Sequence, residues 1–333
     1  MDFAAKRDGG ELRAIGPKDL LDAGGLHPVR EGIWMLAVPV PRAQPKYSIC
    51  YIVTDEQSAL HVIDPGLDLP AHRTLLENAL EEIGGLSSVA SITATHLHFD
   101  HLGLASWLRE RSGAPIQLHE RDARALTLHD AEEQRRLNEA WGVPRERRAE
   151  LEEAYRDAHP PTDLCADRAL ADGDVVTIPG RRLRVLATPG HTSGHMCLVD
   201  DDLQLAFVGD LVLPVINPGF GLGAAGDGNP LADLLHSLTR VSDLDDYEAC
   251  PGHGHRFSGL RGRSREIAAH HLSQNSLVAE AMQETPDATL WDLAQRLPRR
   301  RPLSEMTGGY LRSVLLQTSM HADFVREGGR DAT

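Results

Sequence analysis

Four side chains of metal-ligand type lie within six consecutive positions of this sequence. They occur in the run T-H-L-H-F-D-H-L-G and are His96, His98, Asp100 and His101. Neutral imidazoles and carboxylates are the ligands that zinc and other borderline divalent ions accept. A single histidine is usually a surface or core residue, but three histidines and an aspartate on one turn can converge on an ion. The run therefore predicts a divalent metal site.

Three further residues of ligand type follow, each at the end of a strand-like run. A-T-P-G-H-T-S-G-H contains His191, F-V-G-D contains Asp210, and C-P-G-H-G contains His253. In layered α/β architectures, sites form at the carboxyl ends of strands because loops vary there while the strands hold them rigid. Each motif alone is weak evidence, but their order after the first run predicts a single metal centre.

The elements that must position these residues can be read from the apolar patterns around them. The runs IWMLAVPV, YSICYIVT, SALHVID and SSVASITAT predict strands, the last of which leads directly to His96. PAHRTLLENALEEIGG predicts a helix that ends at Gly84 and Gly85. HLGLASWLRERSG predicts a second helix and PIQLHE another strand. DVVTI, RLRVLAT, HMCLVD and LQLAFVGD predict a second strand-rich half.

Two helical stretches lie outside this strand-rich pattern. Residues 120–158 predict a highly charged pair of helices, broken at Gly142 and Pro144, that forms either a solvated hairpin or a lid over the site. Residues 263–333 predict helices only, in an arrangement that resembles a winged helix, and their arginine and acidic residues are equal in number. The sequence thus predicts a catalytic domain over 1–262 and a small C-terminal helical domain over 263–333.

Over roughly residues 30–260, these ordered motifs resemble the metallo-β-lactamase superfamily. The resemblance implies an α/β fold, the αββα sandwich, with two metal ions. Asp64, in H-V-I-D-P-G, matches an aspartate of the family that orients a ligand histidine, although Asp-Pro-Gly is also typical of a turn. His195 matches a position that is usually not a ligand. The implied ligands are His96, His98 and His191 for one ion, Asp100, His101 and His253 for the other, and Asp210 as the bridge.

The chemistry implied by the resemblance is hydrolysis. Two divalent ions roughly 3.5–4 Å apart can share a hydroxide at near-neutral pH while one ion polarises a carbonyl or phosphoryl oxygen. This bridging hydroxide is the expected nucleophile, and Asp100 and Asp210 are the expected catalytic carboxylates. Ser193 lacks a G-x-S-x-G elbow, which argues against a serine nucleophile. Zinc is the expected metal, with manganese or iron as alternatives.

Fold and ligands do not choose the substrate, because the family hydrolyses several classes of compound. A small acyl substrate (thioester, ester or lactone) is the favoured class, as in glyoxalase II. The alternative is an endoribonuclease or phosphodiesterase of the lactamase-β-like protein 2 type, which the last 70 or so residues loosely resemble. The net charge of -15 and the absence of basic residues from Pro218 to Pro230 disfavour nucleic acid. Asp210 disfavours β-lactam hydrolysis, and the intact ligand set disfavours a non-catalytic relative.

The remaining expectations concern the surroundings of the protein. No segment approaches the roughly 20 apolar residues of a membrane-spanning helix, and the first residues contain no apolar signal region. Cys50, Cys165, Cys197 and Cys250 lack C-x-x-C spacing, so buried thiols are expected. The sequence therefore predicts a cytoplasmic protein without a membrane partner, and its acidic surface and helical tail are compatible with a homodimer.

Overall fold

The computed structural model describes residues 12–15, 21, 24–41, 46–128, 131–157, 164–223 and 228–329. In these ranges the strands form two mixed sheets of seven strands each. The C-terminal sheet has the spatial order β1 (Arg13–Ile15), β14 (Arg256–Ser258), β13 (Glu248–Pro251), β12 (Leu205–Gly209), β11 (Met196–Asp200), β10 (Arg181–Ala187) and β9 (Val175–Ile178). The N-terminal sheet runs in sequence order through β2 (Leu26–Arg30), β3 (Ile33–Pro39), β4 (Tyr47–Thr54), β5 (Leu60–Ile63), β6 (Val89–Thr93), β7 (Ile116–His119) and β8 (Arg168–Leu170).

The inner strands are apolar throughout because both of their faces are buried. Along β3, Ile33 and Met35 belong to a cluster that also contains Val185 and Phe207 of the opposite sheet. Leu36, from the other face of the same strand, belongs to the core beneath the helices. Successive side chains of a strand point to opposite faces, so a strand between two cores must be apolar at nearly every position. The strands predicted in both halves of the chain are confirmed.

Helices cover the outer face of each sheet, which confirms the αββα sandwich. Asn229 caps α7, its side chain accepting hydrogen bonds from Leu231 N (2.9 Å) and Ala232 N (3.4 Å); this helix is absent from the sequence-based predictions. None of the helices in the described part of the chain is long and apolar enough to cross a membrane. The helices are α1 (Pro70–Glu81), α2 (Phe99–Leu102), α3 (Ala105–Ser112), α4 (Glu120–Ala125), α5 (Ala131–Ala140), α6 (Arg145–Asp157), α7 (Pro230–Ser242), α8 (Leu260–Glu284), α9 (Leu290–Arg296) and α10 (Gly308–Arg326), with 3-10 turns at Leu86–Ser88 and Leu303–Glu305.

The charged helices α5 and α6 pack against the C-terminal helices. Trp141 and Leu151 share one apolar cluster with Trp291 of α9 and Leu315 of α10. The Trp291 backbone N–H donates to Trp141 O at 2.9 Å. The helical pair after residue 120 therefore has its apolar face covered by the end of the chain. The division of the chain at 262/263 stays a prediction.

The expectation of buried thiols holds for three of the four cysteines. Cys50, Cys197 and Cys250 are buried, whereas Cys165 is exposed. The three buried residues lie inside β4, β11 and β13, where the sandwich covers both faces of each sheet. Cys165 lies before β8, where its backbone carbonyl accepts a hydrogen bond from the half-buried Arg109 guanidinium. The prediction was wrong for Cys165 because that residue belongs to a surface connection.

Candidate metal centre

The predicted ligand residues meet at one edge of the sandwich, where strands from both sheets end. Strands β5 and β6 are parallel, as are β12 and β13, so each pair brings two carboxyl ends to the same edge. Asp64 follows β5, Asp210 follows β12 and His253 follows β13 by two residues. His96 and His191 follow β6 and β10 after short turns. The topology thus places ligand-type residues from both halves of the chain side by side.

Three histidines form the first ligand group. The two shortest separations are from His98 Nδ1 to His96 Nε2, at 2.9 Å, and from His98 Nδ1 to His191 Nε2, at 3.1 Å. The three ligand atoms lie within 4.8 Å of one another. His96 and His191 are buried, and His98 is partly accessible. The arrangement places three nitrogen atoms close enough to bind one metal ion together.

The second group contains one carboxylate and two imidazoles. His253 Nε2 lies 3.4 Å from Asp100 Oδ2 and 3.3 Å from His101 Nε2. Asp100 is the most accessible of the three, with 18% of its side chain exposed. The mixture of an oxygen and two nitrogen donors suits the same class of borderline divalent ion.

Asp210 lies between the two groups. Its Oδ2 is 3.3 Å from His253 Nε2 and 3.7 Å from His191 Nε2, and its Oδ1 is 3.5 Å from His101 Nε2. Within the described chain, Oδ1 is buried and has no hydrogen-bond partner. A buried carboxylate oxygen normally has a partner, so an unpartnered one fits the position of a bridging ligand.

Each ligand histidine is held through the nitrogen that faces away from the centre. Because the outer nitrogen donates, the inner nitrogen of each neutral ring directs a lone pair at the centre, as metal ligation requires. Imidazole nitrogens about 3 Å apart repel unless a proton or a metal ion lies between them, so the residues fit a divalent metal centre. The outer partners are Thr95 Oγ1 for His96 (3.0 Å), Leu222 O for His98 (2.8 Å), Asp64 Oδ2 for His101 (3.0 Å), Gly219 O for His191 (2.7 Å) and Tyr47 O for His253 (2.6 Å).

The electrostatics of the two groups differ. Burial, reinforced by the neighbouring His191 imidazole, lowers the pKa of His98 to about 4, so this ligand is neutral at pH 7. Burial also opposes protonation of His253, but the Asp210 and Asp100 carboxylates outweigh it and raise its pKa to about 10. The same carboxylates raise the pKa of His101. The second group therefore favours a positive charge at its centre, which a divalent ion supplies.

Asp64 connects one ligand histidine to the loop that carries the others. Its carboxylate accepts hydrogen bonds from Thr95 N at 2.7 Å and from Thr95 Oγ1 at 2.8 Å, besides the bond from His101. Its backbone φ of 53° lies in the left-handed region, which is uncommon for a residue other than glycine. These contacts agree with the expected role of an aspartate that orients a ligand.

Asp122 is a supporting residue that the sequence-based reasoning missed. This fully buried carboxylate accepts hydrogen bonds from Leu97 N (2.9 Å), Thr192 Oγ1 (2.7 Å) and Gly194 N (2.6 Å). Leu97 lies between His96 and His98, and Thr192 directly follows His191, so one side chain ties together both loops of the first ligand group. The available signal was an aspartate two residues after the predicted strand PIQLHE, whose neighbouring strands also carry site residues.

We expect Asp122→Ala to weaken both metal binding and the fold. The change leaves three buried donors without an acceptor, at a cost on the order of 1–3 kcal/mol for each. Loss of such a supporting group typically lowers metal affinity by about 10–100-fold. Competition with a chromophoric chelator measures the zinc affinity, and thermal unfolding measures the stability. Asp243→Ala, at an exposed position after α7, is the matched control. Unchanged zinc affinity in Asp122→Ala would show that Asp122 supports the fold alone.

His195 also supports the centre without joining either ligand group. Its Nε2 accepts a hydrogen bond from the Asp210 backbone N–H at 3.1 Å, and its Nδ1 lies 2.8 Å from Thr188 Oγ1. The ring is fully buried. His195 therefore fixes the backbone that presents Asp210; that it is not a ligand stays a prediction.

The C-terminal helix α8 holds the loop that supports His191 and His98. Arg263, a buried residue of this helix, donates hydrogen bonds to Leu213 O and Ile216 O, both at 2.7 Å. His271 Nε2 of the same helix donates to Pro218 O at 3.0 Å, next to the Gly219 carbonyl that receives His191. The helices at the end of the chain thus contribute to the geometry of the centre.

Comparison with known proteins links this geometry to one family. The family model described as "Metallo-beta-lactamase superfamily" matches residues 44–253, the stretch that carries most of the strands and all seven ligand-type residues. A solved structure of a metallo-beta-lactamase family protein from Thermus thermophilus has a TM-score of 0.75 and 30% identity, covering 91% of this chain and 95% of that one. The similarity therefore extends through the C-terminal helices.

The curated relatives with functional names include the following two. A "Beta-lactamase hydrolase-like protein" from Xylella fastidiosa (strain 9a5c) is 28% identical over 87% of this chain and 65% of its own length. The "Acyl-coenzyme A thioesterase MBLAC2" of Gallus gallus is 29% identical over 54% of this chain and 61% of its own length. The chain thus spans less than two thirds of either relative.

Proposed function

Because the chain belongs to the metallo-β-lactamase superfamily, we propose that it is a hydrolase with two divalent metal ions, most simply zinc, that cleaves a small acyl thioester. The observation that carries the proposal is the pair of ligand groups with Asp210 between them. Three neutral imidazoles lie on one side and a carboxylate with two imidazoles on the other. Asp210 approaches histidines of both groups through its two oxygens.

The residues of the metal centre have different roles in the proposed hydrolysis. When bound, a pair of divalent ions supplies a water-derived nucleophile at neutral pH and polarises the substrate carbonyl. Asp210 lies between the two ligand groups and would hold them at a fixed separation. Asp100 is more accessible than Asp210, 18% against 10% of the side chain, so its carboxylate is better placed to accept a proton from the attacking water. The outer hydrogen bonds keep every ligand imidazole in the tautomer that this chemistry requires.

A small acyl substrate is supported by the apolar side chains around the centre. Phe99, between His98 and Asp100, is 42% exposed, and Val215 is 55% exposed. Val215 lies beside Gly254, the residue after His253. Exposed apolar groups at a polar centre suit an acyl chain more than a phosphate backbone. A thiolate leaves without protonation, and a thioesterase is among the similar proteins, so a thioester is the acyl substrate that we favour.

We expect metal-dependent release of thiol from a panel of acyl thioesters. Each thioester is incubated with zinc-loaded and manganese-loaded protein, and the free thiol is followed with a thiol-reactive dye. Chelator-treated protein gives the background rate. Absence of release from every thioester by protein shown to contain two metal ions would contradict the proposal. The same preparations are then tested on lactones and on single-stranded RNA, and RNA cleavage would favour a phosphodiesterase instead.

A further inference from the structure

A cavity of about 1170 Å³ lies beside the metal centre, between the sandwich and the helices. We refer to it as the helical cavity. One end is lined by Gly190 and Thr192, which flank His191, and by Gly223, which follows the Leu222 carbonyl that receives His98. Typical ligand pockets have volumes of roughly 300–1,000 Å³. The helical cavity therefore has room for a longer molecule than a short acyl group.

Polar and apolar side chains both line the helical cavity, and several of the apolar ones come from the helices. Leu137 and Trp141 come from the α5 region, Leu290 comes from α9, and Leu316 and Met320 come from α10. These residues are separated by up to 183 positions in the sequence, so the folded helices alone create the cavity. Such a lining favours an extended hydrocarbon chain.

One cation in this wall, Arg312, has no anionic partner among the described residues. The Arg312 guanidinium stacks 5.0 Å from the centre of the Tyr155 ring, and its Nε donates to Gln134 Oε1 at 3.2 Å. Among the residues that the structure describes, no carboxylate lies within ion-pair distance of it. Burial lowers the pKa of Arg312, which shows that the site disfavours an unpaired positive charge. Arg312 is half-buried, and charged groups withdrawn from water in proteins are normally paired, so this guanidinium is suited to bind an anion.

The other charged groups of the helical cavity indicate where a substrate anion binds. Arg326, on the same helix, is already paired with Asp323 at 2.6 Å and is 60% exposed. Asp233 lines the cavity as well, and burial raises the pKa of its carboxyl group. The carboxylates Asp233 and Asp323 therefore lie along one part of the helical cavity, and Arg312 lies along another part. An anionic ligand group is attracted to Arg312 and repelled by Asp233 and Asp323.

The distance between the two ends follows from helix geometry. Met320 packs against Gly221, whose N–H donates to Gly190 O at 2.7 Å beside His191. Arg312 lies eight residues before Met320 on α10. A rise of 1.5 Å per residue separates them by about 12 Å, the length of an extended chain of roughly eight to ten carbon atoms.

We propose that the helical cavity binds an elongated apolar substrate whose far end carries a carboxylate or phosphate paired with Arg312. This inference rests on the proposed function only in placing the reacting carbonyl at the metal centre. A planar guanidinium can bind either anion through two parallel hydrogen bonds. The net charge of the protein, -15, repels anions in general. A preference for a ligand with an additional negative charge must then come from a local group.

Binding of substrate-like acids tests the proposal without requiring turnover. Decanedioate, 10-phosphonooxydecanoate and decanoate are titrated into zinc-loaded protein and followed by calorimetry, with intrinsic tryptophan fluorescence, to which Trp141 of the cavity wall contributes, as a second signal. We expect decanedioate or the phosphate to bind at least about tenfold more tightly than decanoate, since truncating one partner of a buried charge pair usually costs that much or more. Whichever of the two binds more tightly identifies the anion.

Variants then assign the preference to one residue. Arg312→Met should reduce the ratio of the two affinities to about one, and Arg312→Lys should retain part of it, because lysine keeps the charge without the planar fork. Arg301→Met, at a position 57% exposed, is the matched control and should keep the full ratio. If Arg312→Met proves unstable, the reduced ratio in Arg312→Lys still tests the proposal.

Two results would overturn the inference: equal affinities in the unmodified protein, or an unchanged ratio in both Arg312 variants. Failure of the proposed function gives a different pattern. In that case thioesters are not hydrolysed, yet the preference for the added anion and its dependence on Arg312 persist. Thioester hydrolysis without any such preference would leave the proposed function in place and remove the Arg312 site.

Discussion

Asp210→Ala is expected to slow thioester hydrolysis roughly a hundredfold to a thousandfold. This corresponds to a rise of several kcal/mol in the activation free energy. Asp210 is the residue whose two carboxylate oxygens approach His101, His191 and His253, at 3.3–3.7 Å. Without it, nothing in the described part of the centre spans the two ligand groups. We therefore expect the variant to retain about one zinc ion per chain in place of two.

The measurements for Asp210→Ala are initial rates of thiol release and zinc content after dialysis. Asp202→Ala, at an exposed turn before β12, replaces the same residue type outside the site and should behave as the unmodified protein. The Asp210 backbone N–H, which donates to His195, is unaffected by the change, so the fold should persist and the circular dichroism spectrum should be unaltered. Two bound zinc ions and a full rate in Asp210→Ala would refute the bridging role.

Removal of metal is the second change for which we expect a large effect. Chelation leaves five inward-facing imidazole nitrogens and the Asp100 and Asp210 carboxylates without a shared cation. A ligand present at a thousand times its Kd stabilises the folded state by about 4 kcal/mol. For a chain of this size, that difference changes Tm on the order of 10 °C. We therefore expect zinc to raise Tm strongly and to restore all activity to chelated protein.

The stabilisation by zinc should also depend on pH. Burial lowers the pKa of His98 in the folded protein to about 4 from an ordinary value of 6.5. Between these values the unfolded chain binds the proton and the folded chain does not. The contribution of neutral His98 to stability is therefore fully present above pH 6.5 and is lost as the pH falls toward 4. Metal ligation also requires the neutral form of His98, so the stabilisation by zinc should decrease as the pH falls from 6.5 toward 4.

Thermal unfolding with and without zinc, at a series of pH values, measures this effect. His236→Ala, at an exposed position on α7, should leave the zinc-induced shift intact. His191→Ala, which removes one nitrogen of the first ligand group, should reduce it. An equal shift in His191→Ala and in the unmodified protein would mean that zinc stabilises the fold from another site.

The helices after residue 260 support the metal centre. Arg263 and His271 of α8 hold the loop from Leu213 to Gly219, and α10 supplies Arg312 to the helical cavity. The charged pair α5 and α6 completes that cavity through Trp141 and neighbouring residues. One face of this pair is solvated and the other lines the helical cavity, and the choice between a solvated hairpin and a lid over the site stays a prediction.

Ligand motifs and buried strands could be predicted from the sequence because both are local properties. His96, His98, Asp100 and His101 lie on one turn, and their chemistry is evident from spacing alone. Strands such as β3 and β4 are apolar at nearly every position because each lies between two cores, and this pattern is visible in any short window. The αββα fold was implied by the resemblance that the motifs carry. Helix α7 escaped prediction because it follows a glycine-rich stretch that obscured its start.

The tertiary structure alone decided how these parts support one another. Backbone carbonyls such as Gly219 O and Tyr47 O orient ligand histidines, and a carbonyl has no signature in the sequence because every residue carries one. In the sequence, nothing distinguishes Asp122 from the other acidic residues. Only the fold places three hydrogen-bond donors around its carboxylate. Arg312 and Gln134 are 178 residues apart, and only helix packing makes them neighbours. Local spacing therefore determined the chemistry of the centre, whereas long-range packing determined its support and the shape of the cavity beside it.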